Sequence, residues 1–191
     1  MNKKIFWVDT ETTGLNRVRN DILQLAYIVE INGEIKEKGE LFCQPFDYSA
    51  IDNKALDVNN LTMAKIKEFP TPQETYKKLT QVLNKYVDKF NRNDKFSPAG
   101  YNVEFDAGFL REFFVKNGNK YYGAYFDYHL LNVDSLLYLF DYKGLIKLEN
   151  YRLVTVAKHF GIKLDAHNAL SDIEATRQVF LKLLQYFKEK E

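Results

Sequence analysis

The chain has 191 residues, 46% apolar and 28% charged, which suits a single globular domain with a sizeable core. Its net charge of +1 gives no global basic signature of a nucleic-acid binder, although charge can still be segregated locally. Cys43 is the only cysteine, which excludes an internal disulfide and a thiolate zinc cluster. The lack of a leader-like start or a membrane-length apolar run points to a cytoplasmic setting with no membrane partner.

Residues 5–8 read as a short buried strand ending at Asp9, and 22–31, rich in β-branched and aromatic residues, as a second. Asn32-Gly33 is a hairpin signal, so 35–43 should return antiparallel to it. Residues 44–70 read as a loop with a helical turn after Thr62. Thr71-Pro72-Gln73-Glu74 has capping-box spacing with proline at the first helical position. A helix should follow to about residue 90, with Tyr76, Leu79, Val82, Leu83, Tyr86, Val87 and Phe90 on its apolar stripe. Lys77, Lys78, Lys85 and Lys89 fall mainly off that stripe and read as a solvated face.

Residues 96–101 read as a fourth strand, and Asn102 as the N-cap of a helix reaching Lys116 and stopped near Gly118. The tyrosine-rich stretch 119–128 reads as a packed connection, with an aromatic substrate-facing surface as the alternative. A fifth strand is expected near 130–134, then helices to about 142, over 153–160 and from about 171 to 188. A meander followed by alternating strands and helices implies one mixed α/β domain over 1–191.

Three stretches carry chemistry: Asp-Thr-Glu-Thr-Thr-Gly-Leu at 9–15, Tyr-Asn-Val-Glu-Phe-Asp at 101–106 and His-Asn-Ala-Leu-Ser-Asp at 167–172. In extended backbone Asp9 and Glu11 point to one side, so two like charges are held together. Asp106 lies on the helix face that continues through Phe109, Leu110 and Phe113, where a carboxylate is costly unless compensated. Asp172 shares a helix side with Thr176, Val179 and Leu183. Either aspartate can alternatively serve its helix N-terminus electrostatically. Ser171 or Asn168 can cap the last helix. A loop histidine is usually a surface residue, and only its spacing to Asp172 singles out His167.

Each motif alone is weak; the ordered set is specific, and it resembles the DnaQ-like, or DEDDh, 3′→5′ exonuclease family across essentially the whole chain. The resemblance implies a ribonuclease H-like fold with a five-stranded mixed sheet. It implies hydrolysis of the 3′-terminal phosphodiester of a single-stranded nucleic-acid end, releasing nucleoside 5′-monophosphates. Asp9, Glu11, Asp106 and Asp172 would be ligands to two Mg²⁺ or Mn²⁺ ions, and His167 the general base. The Thr12 backbone would meet the 3′-OH, with Leu15 and Phe105 against the terminal base; both apolar residues read equally well as core. Tyr101 stands where the family often has histidine, which affects local substrate contacts. DNA is the leading substrate, for proofreading beside a polymerase or for independent end trimming. The alternatives are an exoribonuclease and a nucleic-acid-binding module with a decayed site.

Overall fold

The computed structural model describes residues 3–165 and 168–188, with the side chains of 187 and 188 excepted. The strands are β1 (Lys4–Thr12), β2 (Ile22–Ile31), β3 (Glu34–Phe42), β4 (Ser97–Gly100) and β5 (Leu131–Asn132). The helices are α1 (Asn53–Val58), α2 (Met63–Ile66), α3 (Pro72–Tyr86), α4 (Val103–Lys116), α5 (Val133–Tyr142), α6 (Leu153–His159) and α7 (Ala169–Lys188). The sheet runs in the order β3-β2-β1-β4-β5. β1 pairs antiparallel with β2 and parallel with β4, so the first strand of the chain is the central one.

Strand alternation divides the core between the two faces of the sheet. Phe6 and Val8 pack with Leu79 and Leu83 of α3 and with Val103, Ala107 and Leu110 of α4. Trp7 points the other way, to Val133 and Leu137 of α5 and Ile173 and Val179 of α7. β2 is buried on both faces except near Gln24 and Ile31, as expected of a strand enclosed by two helical layers.

The hairpin forms as its residues demand, with Asn32 at φ 54° and Gly33 at φ 85°. Thr71 and Glu74 make the reciprocal capping box at the start of α3. Four expectations need correction. β1 does not end at residue 8; Asp9, Thr10 and Glu11 keep pairing opposite Ala26, Leu25 and Gln24. Residues 44–70 hold two short helices, α1 and α2, capped by Asp52 and Thr62. α3 stops at Tyr86 because Val87 turns extended, which leaves Phe90 outside the stripe and 87% exposed. β5 is only two residues long before α5 begins. In the tyrosine-rich stretch, Tyr122, Tyr125 and Phe126 pack inward while Tyr121 and Tyr128 stay exposed.

One buried polar group ties α7 to the sheet. The carboxylate of Glu30, on β2, accepts from Trp7 Nε1 at 3.1 Å and Arg177 Nε at 2.6 Å. Arg177 Nη2 also donates to the Gly33 carbonyl at 3.2 Å. Removing one partner of a buried ion pair strands the other, at about 3–5 kcal/mol. Arg177→Ala is therefore expected to lower the unfolding free energy in urea by that order. The double change Glu30→Leu with Arg177→Met should recover most of it, because apolar packing replaces the pair.

Candidate active site

The site forms where β1 runs past its parallel partner. β4 pairs with β1 only from Ile5 to Trp7, so Val8–Thr12 project beyond it. Gly100 lets the chain leave there: a Cβ on it would meet the Val8 carbonyl oxygen at 2.9 Å. The backbone then turns directly into α4, which carries Asp106.

Alternation puts Asp9 and Glu11 on the Trp7 side of β1, toward α7, and Thr10 on the Val8 side, toward α4. Asp106 approaches from that second side, 6% exposed. Its Oδ1 accepts from Thr10 N at 2.9 Å and Thr10 Oγ1 at 2.7 Å. The aspartate is thus held by the strand, and its own backbone N–H in the first turn of α4 adds to that hold; Asn102, at the N-cap, makes no side-chain capping bond. Asp172 enters from the first turn of α7. Asn168 is that helix's cap: its Oδ1 accepts from Ser171 N at 3.0 Å, while Ser171 Oγ accepts from Asp165 N at 2.9 Å.

Burial and then the charges of Asp106, Glu11 and Asp172 push the Asp9 carboxyl well above its ordinary range. The four carboxylates expected from the sequence are therefore near enough to act on one another electrostatically. Burial raises Asp106 to about 7 despite the opposing hydrogen bonds from Thr10, with Glu11 adding to the rise. Among the described residues no lysine or arginine forms an ion pair with Asp9 or Asp106. Nor do three or more acidic, histidine or cysteine residues already stand as a metal cage there. The donor set still fits a hard divalent cation: all oxygen, anionic, and crowded enough to hold protons in its place.

The loop after β1 is pinned from several directions. Thr13 N donates to the Asp21 carbonyl at 2.8 Å and Asp21 N returns a bond to Thr13 Oγ1 at 2.9 Å. Asn20 Nδ2 donates to the Ala50 carbonyl at 2.7 Å. Gly14 sits at φ +155° with the Asn20 side chain where a Cβ would be, 2.7 Å away, so no other residue fits. Thr12 turns its hydroxyl to the Gly14 carbonyl at 2.7 Å, and its own carbonyl accepts from Asn59 Nδ2 at 3.1 Å. This fixed loop holds Leu15 out at 87% exposure, which rules it out as core. Phe105 is half-buried against Phe109, ring centroids 4.7 Å apart. Leu15, Val18, Phe105 and Phe109 line an open apolar groove of about 470 Å³.

Tyr101 directs its hydroxyl to the Tyr151 carbonyl, bracing the start of α4 against the chain before α6. His167 lies outside the described residues. His129 rests in a loop on Asp127, and His159 ends α6. Thr10 escaped the sequence reading. Its signal was its place between two acidic residues of a strand, which alternation turns toward the helix carrying Asp106.

A carboxyl whose folded pKa lies above its unfolded value favours folding while it is protonated. For Asp106 that contribution is lost as pH rises from near 3.8 toward about 7. In cation-free buffer, stability is expected to fall through that window. Asp106→Asn, which keeps an acceptor for Thr10, should flatten the slope and melt higher than wild type at pH 8. Identical slopes for the two proteins would show that Asp106 carries no such charge.

The chain matches the RNase_T family, described as exonuclease, over residues 6–180. It is 31% identical over 186 residues to DNA polymerase III PolC-type of Oceanobacillus iheyensis, covering 96% of this chain and 12% of the relative. The PolC-type polymerase of Halalkalibacterium halodurans is 31% identical over 185 residues, covering 96% and 11%. The chain thus spans about an eighth of the length of these relatives. Among solved structures, a zinc-bound complex of E. coli exonuclease I with single-stranded DNA superposes with a TM-score of 0.77 at 20% identity. It covers 100% of this chain and 42% of that one. Exonuclease I of Methylocaldum szegediense gives 0.75 at 21%, covering 95% and 40%. These structures share the mixed five-stranded sheet flanked by helices, the ribonuclease H-like fold. With a match that reaches from β1 into α7 and takes in every carboxylate described above, the chain belongs to the RNase_T exonuclease family.

Proposed function

We propose that this chain is a 3′→5′ exonuclease domain that trims DNA 3′ ends and releases nucleoside 5′-monophosphates. The observation that carries the reading is the raised Asp9 carboxyl, crowded by Asp106, Glu11 and Asp172 at the projecting end of β1. Exonucleases of this kind depend on divalent metal. Here Asp9, Glu11, Asp106 and Asp172 would hold Mg²⁺ or Mn²⁺, which when bound supplies the Lewis acidity for phosphodiester hydrolysis. Thr10 orients Asp106 for that task.

The protein's own groups do the rest. The groove of Leu15, Val18 and Phe105 takes the terminal nucleoside by packing, which tolerates any base. The backbone at Thr12, pinned through its carbonyl by Asn59, would meet the 3′-OH. His167 accepts the proton from the attacking water, a role suited to an imidazole near neutral pH. The PolC-type relatives, named as DNA polymerases, favour DNA as substrate and a polymerase as partner.

The test uses 5′-labelled DNA and RNA oligonucleotides with Mg²⁺ and with EDTA. A ladder shortening from the 3′ end of DNA is expected with the metal and none in EDTA. Circular single strands should resist, and Asp9→Ala should be the most damaging substitution. Robust hydrolysis in EDTA, or efficient cutting of a circle, would sink the reading. His167→Ala is expected to lower the single-turnover rate by about 10²–10⁴-fold with oligonucleotide binding nearly unchanged. A near-normal rate in that variant would remove His167 as the base.

A further inference from the structure

A second groove, of about 520 Å³, opens beside the C-terminal half of α4. Arg92, Lys95, Arg111 and Lys120 line it with the rings of Tyr122 and Tyr128. Among the described residues none of these four cations makes an ion pair with a carboxylate. The one acid in the lining, Asp127, already accepts from His129 N at 2.9 Å and lies 2.7 Å from the His129 ring nitrogen Nδ1. The groove therefore has an excess of three positive charges, while the whole chain has +1.

Its two tyrosine rings differ in exposure, and only one is open to a ligand. The Arg111 guanidinium lies over the Tyr122 ring, 5.2 Å from its centroid. Tyr122 itself is 94% buried, and its hydroxyl has no hydrogen-bond partner. Tyr128 is 80% exposed and leans on His129, ring centroids 3.9 Å apart, which makes a two-ring platform at the rim. Gly123 keeps the lining open, with nothing within 4 Å of where its Cβ would be. Along α4, Arg111 lies five residues beyond Asp106, about 8 Å along the axis and about 140° around it, so the groove opens on a different face of the helix and only a strand several nucleotides long reaches both.

The geometry points to this groove as a second binding site for single-stranded nucleic acid, gripping the phosphates upstream of the 3′ end with Arg92, Lys95, Arg111 and Lys120 and stacking a base on Tyr128. Cations set beside exposed aromatic rings suit a strand whose charges and bases alternate, and such a grip is independent of sequence. An acidic protein segment would use the charges but leave the Tyr128 platform idle. The inference rests on the reading that the strand's 3′ end lies at the carboxylates.

The experiment measures anisotropy of 5′-labelled oligothymidylates in EDTA, one chain of roughly 20 nucleotides and one of roughly 3. The proteins are wild type, the double variant Arg92→Glu with Lys120→Glu, and Tyr128→Ala. The double variant should weaken the long chain by at least about tenfold and reduce its salt slope by about 1–2, leaving the short chain nearly unchanged. Tyr128→Ala should weaken the long chain by roughly tenfold. Metal-supported hydrolysis of a nitrophenyl ester of thymidine 5′-monophosphate, which engages the carboxylate site and its nucleoside groove and is too short to reach the basic groove, should be the same in all three. Loss of that hydrolysis in wild type would count against the exonuclease reading and not against the groove. Long-chain binding and salt slope unchanged in the variants would overturn the groove, as would polyglutamate binding with the same dependence on Tyr128.

Discussion

Burial of carboxylates crowded together at the end of β1 is the constraint on which the rest of the structure depends. Burial and like charge both oppose ionising Asp9, and burial opposes ionising Asp106. Neither Asp9 nor Asp106 gains from ionising beside the other, so surrounding elements hold the cluster in place. α4 is secured through Thr10, α7 through Arg177 on Glu30, and the loop after β1 through Asn20 and Asp21. Asp21, buried at 4% exposure, is itself neutralised by Lys116 at 2.7 Å and accepts from the backbone of Phe46 and Asp47. Asp21 and Glu30, buried away from the cluster, are paired with Lys116 and Arg177, while among the described residues no lysine or arginine forms an ion pair with Asp9 or Asp106.

The two sides of the sheet divide this task. The side facing α4 supplies one aspartate and the groove-lining phenylalanines. The side facing α7 carries Asp9 and Glu11 and receives Asp172 from the first turn of that helix. β1 belongs to both, and because it outruns β4, its last residues are reachable from either helix. A strand that ended level with its neighbour would have enclosed them.

Much of this was legible in the sequence because it is local. The Asn32-Gly33 hairpin, the Thr71–Glu74 box and the stop at Gly118 are each set by a few adjacent residues. The motif aspartates were legible as charged positions on apolar faces. The length of β1 was not, because Asp-Thr-Glu-Thr reads as a polar break, whereas β2 pairing carries the strand through it. Phe90 was misplaced because periodicity cannot register that Val87 leaves the helix. The Thr10–Asp106 clamp and the Glu30–Arg177 tie join residues 96 and 147 apart, which no spacing reveals. The basic groove was hidden for a related reason: a net charge is a sum, and it erases how charge is distributed.

The sequence distance between β1 and its helical partners also shapes how the chain reaches its native state. β1, β2 and β3 are consecutive and close through short connections, so their pairing carries little loop entropy. Asp106 and Asp172 arrive only with elements from the second half of the chain. The acidic cluster is thus assembled by contacts between distant parts of the chain, and any cation that requires all of it recognises only a chain whose two halves have come together. Such a ligand favours the finished structure over every partly joined one by mass action. The group that fits the carboxylates would then also act as a late check on folding, exerted through the same four side chains.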